Sequence, residues 1–142
     1  MDITLKIGTR SETVQVPEAN LQGILTPNEV SVALTGEAEV RRALNEPIGT
    51  PRLRDIVHPG EKIAIITSDI TRPMPTWKVM PALLDELYDA GVKREDITLV
   101  FALGSHRCHT EEEQRHLAGD RAWSEITCVD GNTADCVHIG VA

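Results

Sequence analysis

Aromatic and basic residues are scarce in this sequence, and both shortages argue against nucleic-acid binding. The 142 residues include two Trp, one Tyr and one Phe. Fourteen Lys and Arg residues stand against 22 Asp and Glu, which gives a formal net charge of −8 at pH 7. A protein that binds the phosphate backbone needs the opposite sign, and one that binds single strands needs aromatic rings on which bases stack. We therefore expect no nucleic-acid partner.

Long apolar runs and paired cysteines are also missing. No run approaches the roughly 20 residues that a membrane-spanning helix needs, and the N-terminal sequence MDITLKIGTR does not have the pattern of a signal peptide. Cys108, Cys128 and Cys136 are odd in number and show no CxxC spacing, so we expect reduced thiols rather than a disulfide framework. These features predict a protein of the cytoplasm that has no membrane partner.

Several common catalytic and nucleotide-binding motifs are absent as well. The sequence contains no P-loop, no GxGxxG after a predicted strand, no GxSxG and no HExxH. Functions that depend on a nucleoside triphosphate, a standard dinucleotide, a serine nucleophile or a zincin centre therefore lack their residues. The composition, with 41% hydrophobic and 25% charged residues, is that of an ordinary globular domain.

What is present is a hydrophobic pattern that predicts an α/β fold: a Rossmann-like parallel sheet with flanking helices, preceded by an N-terminal β-hairpin. Alternating residues predict the hairpin, with one buried face, over 3–16. A helix capped by Thr35 and stopped by Pro47 follows, and a short one begins near Pro51. Residues 62–67 form a nearly continuous apolar run, which is typical of a parallel strand covered on both faces.

The second half of the chain alternates between predicted helices and strands. Apolar residues at helical spacing predict a helix around 80–87, and Thr110 with Glu113 forms the capping box of another. Further strands are expected over 96–103, 126–129 and 136–139. Strand–helix–strand–helix–strand order is the signature of a parallel sheet with right-handed crossovers.

A polar cluster follows the first of these strands, at residues 68–73 (SDITRP). Ligands of open parallel sheets bind outside the carboxyl ends of the strands. Arg72, near the N-terminus of the next helix, could bind a carboxylate or phosphate through two parallel hydrogen bonds. Asp69 could fix that guanidinium or accept a hydroxyl proton. An Asp–Arg pair that merely ties down a surface turn is the competing interpretation.

A second polar cluster, residues 104–110 (GSHRCHT), follows the next strand. Gly104 permits a sharp turn, and His106 is then the first long polar side chain above the strand, able to exchange a proton near neutral pH. His106, Cys108 and His109 could ligate a metal by residue type. No second cluster supplies the remaining ligands, so we expect no metal site and interpret Cys108 and His109 as local structure before a helix.

Together, SDITRP after one strand and ALGSHR-x-x-T after the next resemble the nickel-dependent lactate racemase family. The similarity continues through the helix PALLDELYDAGV and the connector KREDITLVFALGSH, and it covers roughly Glu61–Val141. Two linked motifs at the right separation are much more specific than either motif alone.

The resemblance implies an isomerase that interconverts the two stereoisomers of a 2-hydroxy acid, using a nickel pincer nucleotide derived from nicotinic acid. In this family a histidine deprotonates the substrate hydroxyl, and a hydride leaves the α-carbon and returns to its other face. His106 matches the first of two catalytic histidines. Asp69, Thr71 and Arg72 match the segment that lines the cofactor and substrate pocket, and Arg72 is the expected partner of the substrate carboxylate.

Family members are considerably longer than this chain, which ends after a predicted strand without a closing helix. We therefore expect residues 1–142 to be a single α/β domain from the N-terminal part of a two-domain enzyme, with the missing C-terminal domain as its partner. The cofactor-tethering lysine, a nickel-ligating histidine and the second catalytic histidine would lie outside it. Alone, the chain is expected to be inactive and to hold no nickel stoichiometrically. A homo-oligomer stays open.

Two alternatives stay open at this point. The chain could belong to a relative that acts on another hydroxy acid, such as a sugar acid or malate. It could also be a non-catalytic module that binds an anion or carboxylate at the same strand ends. The sequence does not distinguish the substrates.

Overall fold

A two-stranded antiparallel hairpin begins the chain, as the alternating residues predict. In the computed structural model, which describes residues 1–72, 74–131 and 137, β1 runs over Asp2–Ile7 and β2 over Arg10–Gln15. Gly8 lies between them with φ 60°, a left-handed conformation that favours glycine. Both faces are largely exposed, so the expected buried face is wrong. The chain divides into two units, 1–32 and 33–142, and the hairpin belongs to the first.

Two helices open the second unit. Helix α1 runs over Glu37–Asn45 and α2 over Leu53–Ile56. Helix α1 ends before Pro47, as expected, but its N-cap is Gly36 rather than Thr35, and no side chain caps it. Gly36 has φ 58°, a conformation that a residue without a Cβ adopts readily.

In the described part of this unit, three parallel strands form a sheet in the order β3-β4-β5. Their bounds are Ile63–Ser68 for β3, Ile97–Ala102 for β4 and Thr127–Asp130 for β5. The parallel sheet with helical crossovers confirms the predicted α/β, Rossmann-like class. The further strand expected over 136–139 lies outside the described residues except for Val137, which is exposed and in no strand.

The crossover helices pack against one face of the sheet and form the core there. Helix α3 runs over Thr76–Asp89, α4 over Glu111–Ala118 and α5 over Asp120–Glu125. The fully buried side chains at the centre of the core are Met80, Leu84, Leu87, Ile97, Leu99 and Phe101. On the opposite face Ile66 of β3 is 73% exposed. The expectation that β3 is covered on both faces is therefore wrong for the part of the chain that is described.

The parallel arrangement places the carboxyl ends of all three strands at one edge of the sheet, after Ser68, Ala102 and Asp130. The predicted capping box begins α4 beside that edge: Glu113 N–H donates to Thr110 Oγ1 over 3.2 Å, and Thr110 N–H donates to Glu113 Oε2 over 2.9 Å. None of the described helices is long and apolar enough to cross a bilayer.

A buried carboxylate on α3, Glu86, connects this helix to arginines at the start of α2. Glu86 is 5% exposed and accepts hydrogen bonds from Arg52 and Arg54. The Arg54 hydrogen bond in particular lowers the pKa of Glu86 from its usual 4.5 to about 2. Because its pKa is lower in the folded than in the unfolded state, Glu86 stabilises the fold above pH 4.5, and this contribution is lost as the pH falls toward 2.

We predict that Glu86→Gln lowers the free energy of unfolding at pH 7 by about 1–3 kcal/mol, because the amide leaves charged donors poorly paired. The difference from the parent protein should shrink as the pH is lowered from 5 to 2.5. Urea denaturation at a series of pH values measures both effects. Glu95→Gln, at an exposed carboxylate, is the matched control and should change little. Equal stability of Glu86→Gln and the parent at pH 7 would contradict the prediction.

Candidate active site

The structure brings the two polar clusters of the sequence together at the carboxyl edge of the sheet. Residues 69–72 form the turn after β3, and residues 103–110 connect β4 to α4. A cleft of about 580 Å³ lies between them, and its lining includes Asp69, Arg72 and His106. The neighbouring positions of these side chains, expected from strand order, are therefore observed.

Asp69 shapes the turn after β3 through its own hydrogen bonds. Its carbonyl oxygen accepts from Arg72 N–H over 3.1 Å, which closes the turn. Its Oδ1 accepts from Thr71 N–H over 2.9 Å and from the Thr71 hydroxyl over 2.6 Å. An aspartate that binds the backbone two residues on is a common local turn, so the Asp-x-Thr sequence explains this geometry.

The other oxygen of Asp69 contacts the imidazole of His106. Asp69 is 3% exposed, and its Oδ2 pairs with His106 Nδ1. The Thr71 hydroxyl and, second, His106 lower the pKa of Asp69 from its usual 3.8 to about 2, so the group is a carboxylate at neutral pH. A carboxylate only accepts hydrogen bonds, which places a proton on Nδ1, so in the neutral imidazole the lone pair lies on Nε2.

The side chain of His106 is 44% exposed, in contrast to the buried Asp69. An imidazole whose tautomer is fixed by a buried carboxylate, and whose second nitrogen is accessible, can act as a general base toward a ligand.

Arg72 is not held by Asp69, and the interpretation that they form a pair is wrong. The carboxylate is already occupied by Thr71 and His106, and the turn leaves the Arg72 side chain exposed at the cleft. Among residues 1–72, 74–131 and 137, no carboxylate forms an ion pair with this guanidinium. It is therefore available to an anionic ligand, which it can bind through two parallel hydrogen bonds.

His109 contributes to this edge of the sheet, which the sequence did not predict. Its side chain is 1% exposed. Nδ1 lies 2.6 Å from Oδ1 of Asp130 at the end of β5, and Nε2 accepts from Ile70 N–H over 3.0 Å. The available signal in the sequence was Asp130, a third polar residue at the end of a predicted strand. In the structure it pairs with His109, three positions after His106.

The described part of the chain brings no three His, Cys, Asp or Glu side chains together at a point that could hold a metal ion. The groups that line the cleft and could contact a ligand include the Arg72 guanidinium and the His106 imidazole. The roles of Asp69, Thr71, Arg72 and His106 in catalysis and binding stay predictions.

A family model described as the lactate racemase N-terminal domain matches residues 7–142. This chain belongs to that family. The lactate racemase of Thermoanaerobacterium thermosaccharolyticum is 36% identical over 121 residues, which are 84% of this chain and 28% of that protein. The lactate racemase of Lactiplantibacillus plantarum is 32% identical over 113 residues, 78% of this chain and 26% of that protein.

The fold agrees with a solved member of the family. The structure of the lactate racemase apoprotein from T. thermosaccharolyticum superposes with a TM-score of 0.77 at 31% identity, covering 93% of this chain and 30% of that one. The resemblance and the fold class predicted from the sequence are thus confirmed. The chain spans less than a third of the length of these relatives.

The Asp69–His106 pair predicts the outcome of Asp69→Asn. Thr71 donates two hydrogen bonds to Oδ1, so the asparagine oxygen should stay there and the NH₂ group should face His106 Nδ1. An NH₂ group donates to Nδ1, which forces the imidazole proton onto Nε2. We therefore expect the neutral tautomer of His106 to invert, as measured by two-bond ¹H–¹⁵N spectra at pH 8.

Asp120→Asn is the control for that experiment, because Asp120 is exposed on α5 and contacts Arg115 instead of a histidine. It should leave the His106 signals unchanged. Persistence of the Nδ1–H tautomer in Asp69→Asn would show that Asp69 does not set the state of His106.

Proposed function

We propose that this chain forms one side of the active site of a 2-hydroxy acid racemase or epimerase of the lactate type. In this proposal His106 is the base for the substrate hydroxyl and Arg72 binds the substrate carboxylate. The observation that carries it is the cleft itself, where an imidazole oriented by a carboxylate lies near a guanidinium without an ion-pair partner among the described residues. Family membership supports the same reaction class.

The two groups match the two functional groups of the substrate. A 2-hydroxy acid carries a carboxylate and a hydroxyl on adjacent carbons, so binding of the carboxylate by Arg72 presents the hydroxyl to a neighbouring base. The hydroxyl proton passes to Nε2 of His106, and Asp69 stabilises the imidazolium that forms. The same proton returns to the product oxygen at the end of the reaction.

Deprotonation of the hydroxyl is the step that the protein has to supply, because it changes the chemistry of the adjacent carbon. The α-hydrogen of a hydroxy acid is a very poor proton, yet it becomes an acceptable hydride once the oxygen carries a negative charge. Loss of that hydride leaves a planar 2-keto acid, which explains how the stereocentre can be inverted. A base alone therefore does not complete the reaction, and a hydride acceptor is required.

We extend the proposal to the nickel pincer nucleotide that the family resemblance implies. When bound, this group would supply the hydride acceptor and donor. The free guanidinium of Arg72 fits an acidic group of a nucleotide as well as a substrate carboxylate. Asp69 and Thr71 would act on the same pocket indirectly, through His106. The Asp69 carboxylate is hydrogen-bonded to the side chains of Thr71 and His106.

The remainder of the active site would come from outside this chain. We propose that the rest of the longer protein closes the cleft and supplies the nickel ligand, the covalent tether and the second base. The chain alone would then be inactive and hold no nickel stoichiometrically. The cytoplasm is the compartment that we propose, with the two described cysteines, Cys108 and Cys128, as free thiols.

We predict that His106→Ala in the full-length, cofactor-loaded protein lowers the racemisation rate of lactate by about 10²–10⁴-fold, because the base is removed. Nickel and cofactor content should be retained, as measured by metal analysis and absorption spectra. His58→Ala is the matched control, since His58 is an exposed histidine before β3, at the opposite end of that strand from the cleft. Unchanged turnover in His106→Ala would remove this residue from the mechanism.

Substrate labelled with deuterium at the α-carbon tests the reaction class in the same assays. Hydride return keeps the label in the racemised product, whereas removal of the α-hydrogen as a proton releases it to water. Parallel assays with malate and sugar acids decide which hydroxy acid is used. Binding of carboxylates without any racemisation would favour the non-catalytic alternative.

We predict that Arg72→Lys raises the KM for the hydroxy acid roughly tenfold, because an ammonium group cannot reproduce the two parallel hydrogen bonds of a guanidinium. Initial-rate kinetics over a range of substrate concentrations measure the change. Arg107→Lys is the matched control, since Arg107 pairs with Glu113 on α4. An unaltered KM in Arg72→Lys would place the carboxylate anchor elsewhere.

A further inference from the structure

His109 is a buried titratable side chain beside the cleft that the proposed mechanism does not use. Its ring packs edge-on against Phe101 of β4, with 5.4 Å between the ring centroids and an interplanar angle of 70°. Packing alone would be served by a phenylalanine. The polar contacts of both ring nitrogens therefore call for a separate explanation.

The contacts of His109 define its tautomer. Ile70 N–H is a donor, so Nε2 must hold a lone pair toward it. The proton then lies on Nδ1, which donates to Asp130 Oδ1 over 2.6 Å, while the backbone N–H of His109 donates to Asp130 Oδ2 over 2.7 Å. The imidazole is thus neutral in this arrangement, and each nitrogen has one role.

His109 contacts the turn after β3 at its second residue, Ile70. Ile70 lies between Asp69 and Thr71, the two residues that bind each other and His106. The loop after β4 therefore holds this turn at two points: His106 contacts the Asp69 side chain, and His109 contacts the next backbone amide. With one contact the turn could still rotate about that point, whereas two contacts fix its orientation.

We propose that His109 is a positioning residue, which couples the Asp69–Thr71 turn to the end of β5 and thereby holds Asp69 in place for His106. Asp130 is the fixed end of this connection, because β5 pairs with β4 through the sheet. The consequence for catalysis rests on the proposed function. The contacts of His109 with Asp130 and Ile70 do not rest on the proposed function, and their effect on Asp69 and His106 can be measured on the 142-residue chain without any enzymatic activity.

Two substitutions separate this role from simple packing. His109→Gln keeps one donor and one acceptor, spaced much as the two ring nitrogens are, so it can still bind Asp130 and Ile70. His109→Phe keeps a ring against Phe101 but supplies neither the donor for Asp130 nor the acceptor for Ile70 N–H. Near-ultraviolet circular dichroism would confirm that both variants are folded.

The readouts are the tautomer of His106 and the pKa of Asp69, each measured by NMR. In the parent chain and in His109→Gln we expect His106 as the Nδ1–H tautomer and a pKa of about 2 for Asp69. In His109→Phe we expect a mixture of His106 tautomers and a rise of the Asp69 pKa toward its usual value. Parent-like values in His109→Phe would overturn the proposal and leave His109 a packing residue.

The parent chain provides a second measurement that does not depend on a variant that folds. His109 should show the Nδ1–H tautomer, and the Ile70 amide should exchange slowly although it lies in a turn. A proton on His109 Nε2, or a rapidly exchanging Ile70 amide, would also overturn the proposal.

Kinetics of the full-length enzyme then connect the geometry to catalysis. His109→Phe should lower kcat/KM for the hydroxy acid roughly 10- to 100-fold, because the turn that orients the base is no longer held in place. His109→Gln should restore most of the rate. If the parent enzyme racemises no hydroxy acid, the proposed function fails, while the NMR results still decide the role of His109.

Discussion

The site depends on one buried carboxylate and on how its negative charge is satisfied. Asp69 is almost fully buried, and a buried anion without donors would be too costly to keep. The donors come from both sides of the cleft: Thr71 in its own turn and His106 in the loop after β4. Satisfying this charge therefore joins the two loops, fixes the imidazole tautomer and leaves Arg72 unpaired by Asp69.

The sequence predicted which loops meet because that information lies in chain order and strand polarity. Consecutive parallel strands joined by a helix usually neighbour one another, so the residues after β3 and β4 were expected at one edge. Asp130 was missed because its strand is short and carries no motif, and its place beside β4 becomes visible only in the sheet. The role of His109 depends on that place and was missed with it.

Two of the predictions that were wrong are that Asp69 pairs with Arg72 and that β3 is covered on both faces. They share a different cause, because spacing along the chain does not give the direction of a side chain. Asp69 and Arg72 are three residues apart, yet the turn bonds of Asp69 point its carboxylate at Thr71 and His106. Likewise, the apolar run of β3 suggested two covered faces, while the described helices pack on one and leave Ile66 exposed. Contacts of this kind are decided by tertiary packing.

Among the described residues, the contacts that orient the proposed base come from residues between the end of β3 and the end of β5. The connection runs from Asp130 through His109 to the Asp69 turn and ends at His106, and each of these contacts is present in the 142-residue chain. A base that is set before the ligand arrives avoids the cost of ordering it during the reaction. In the proposed enzyme the remaining polypeptide would then add the metal ligand, the tether and closure of the cleft to a half-site that is already oriented.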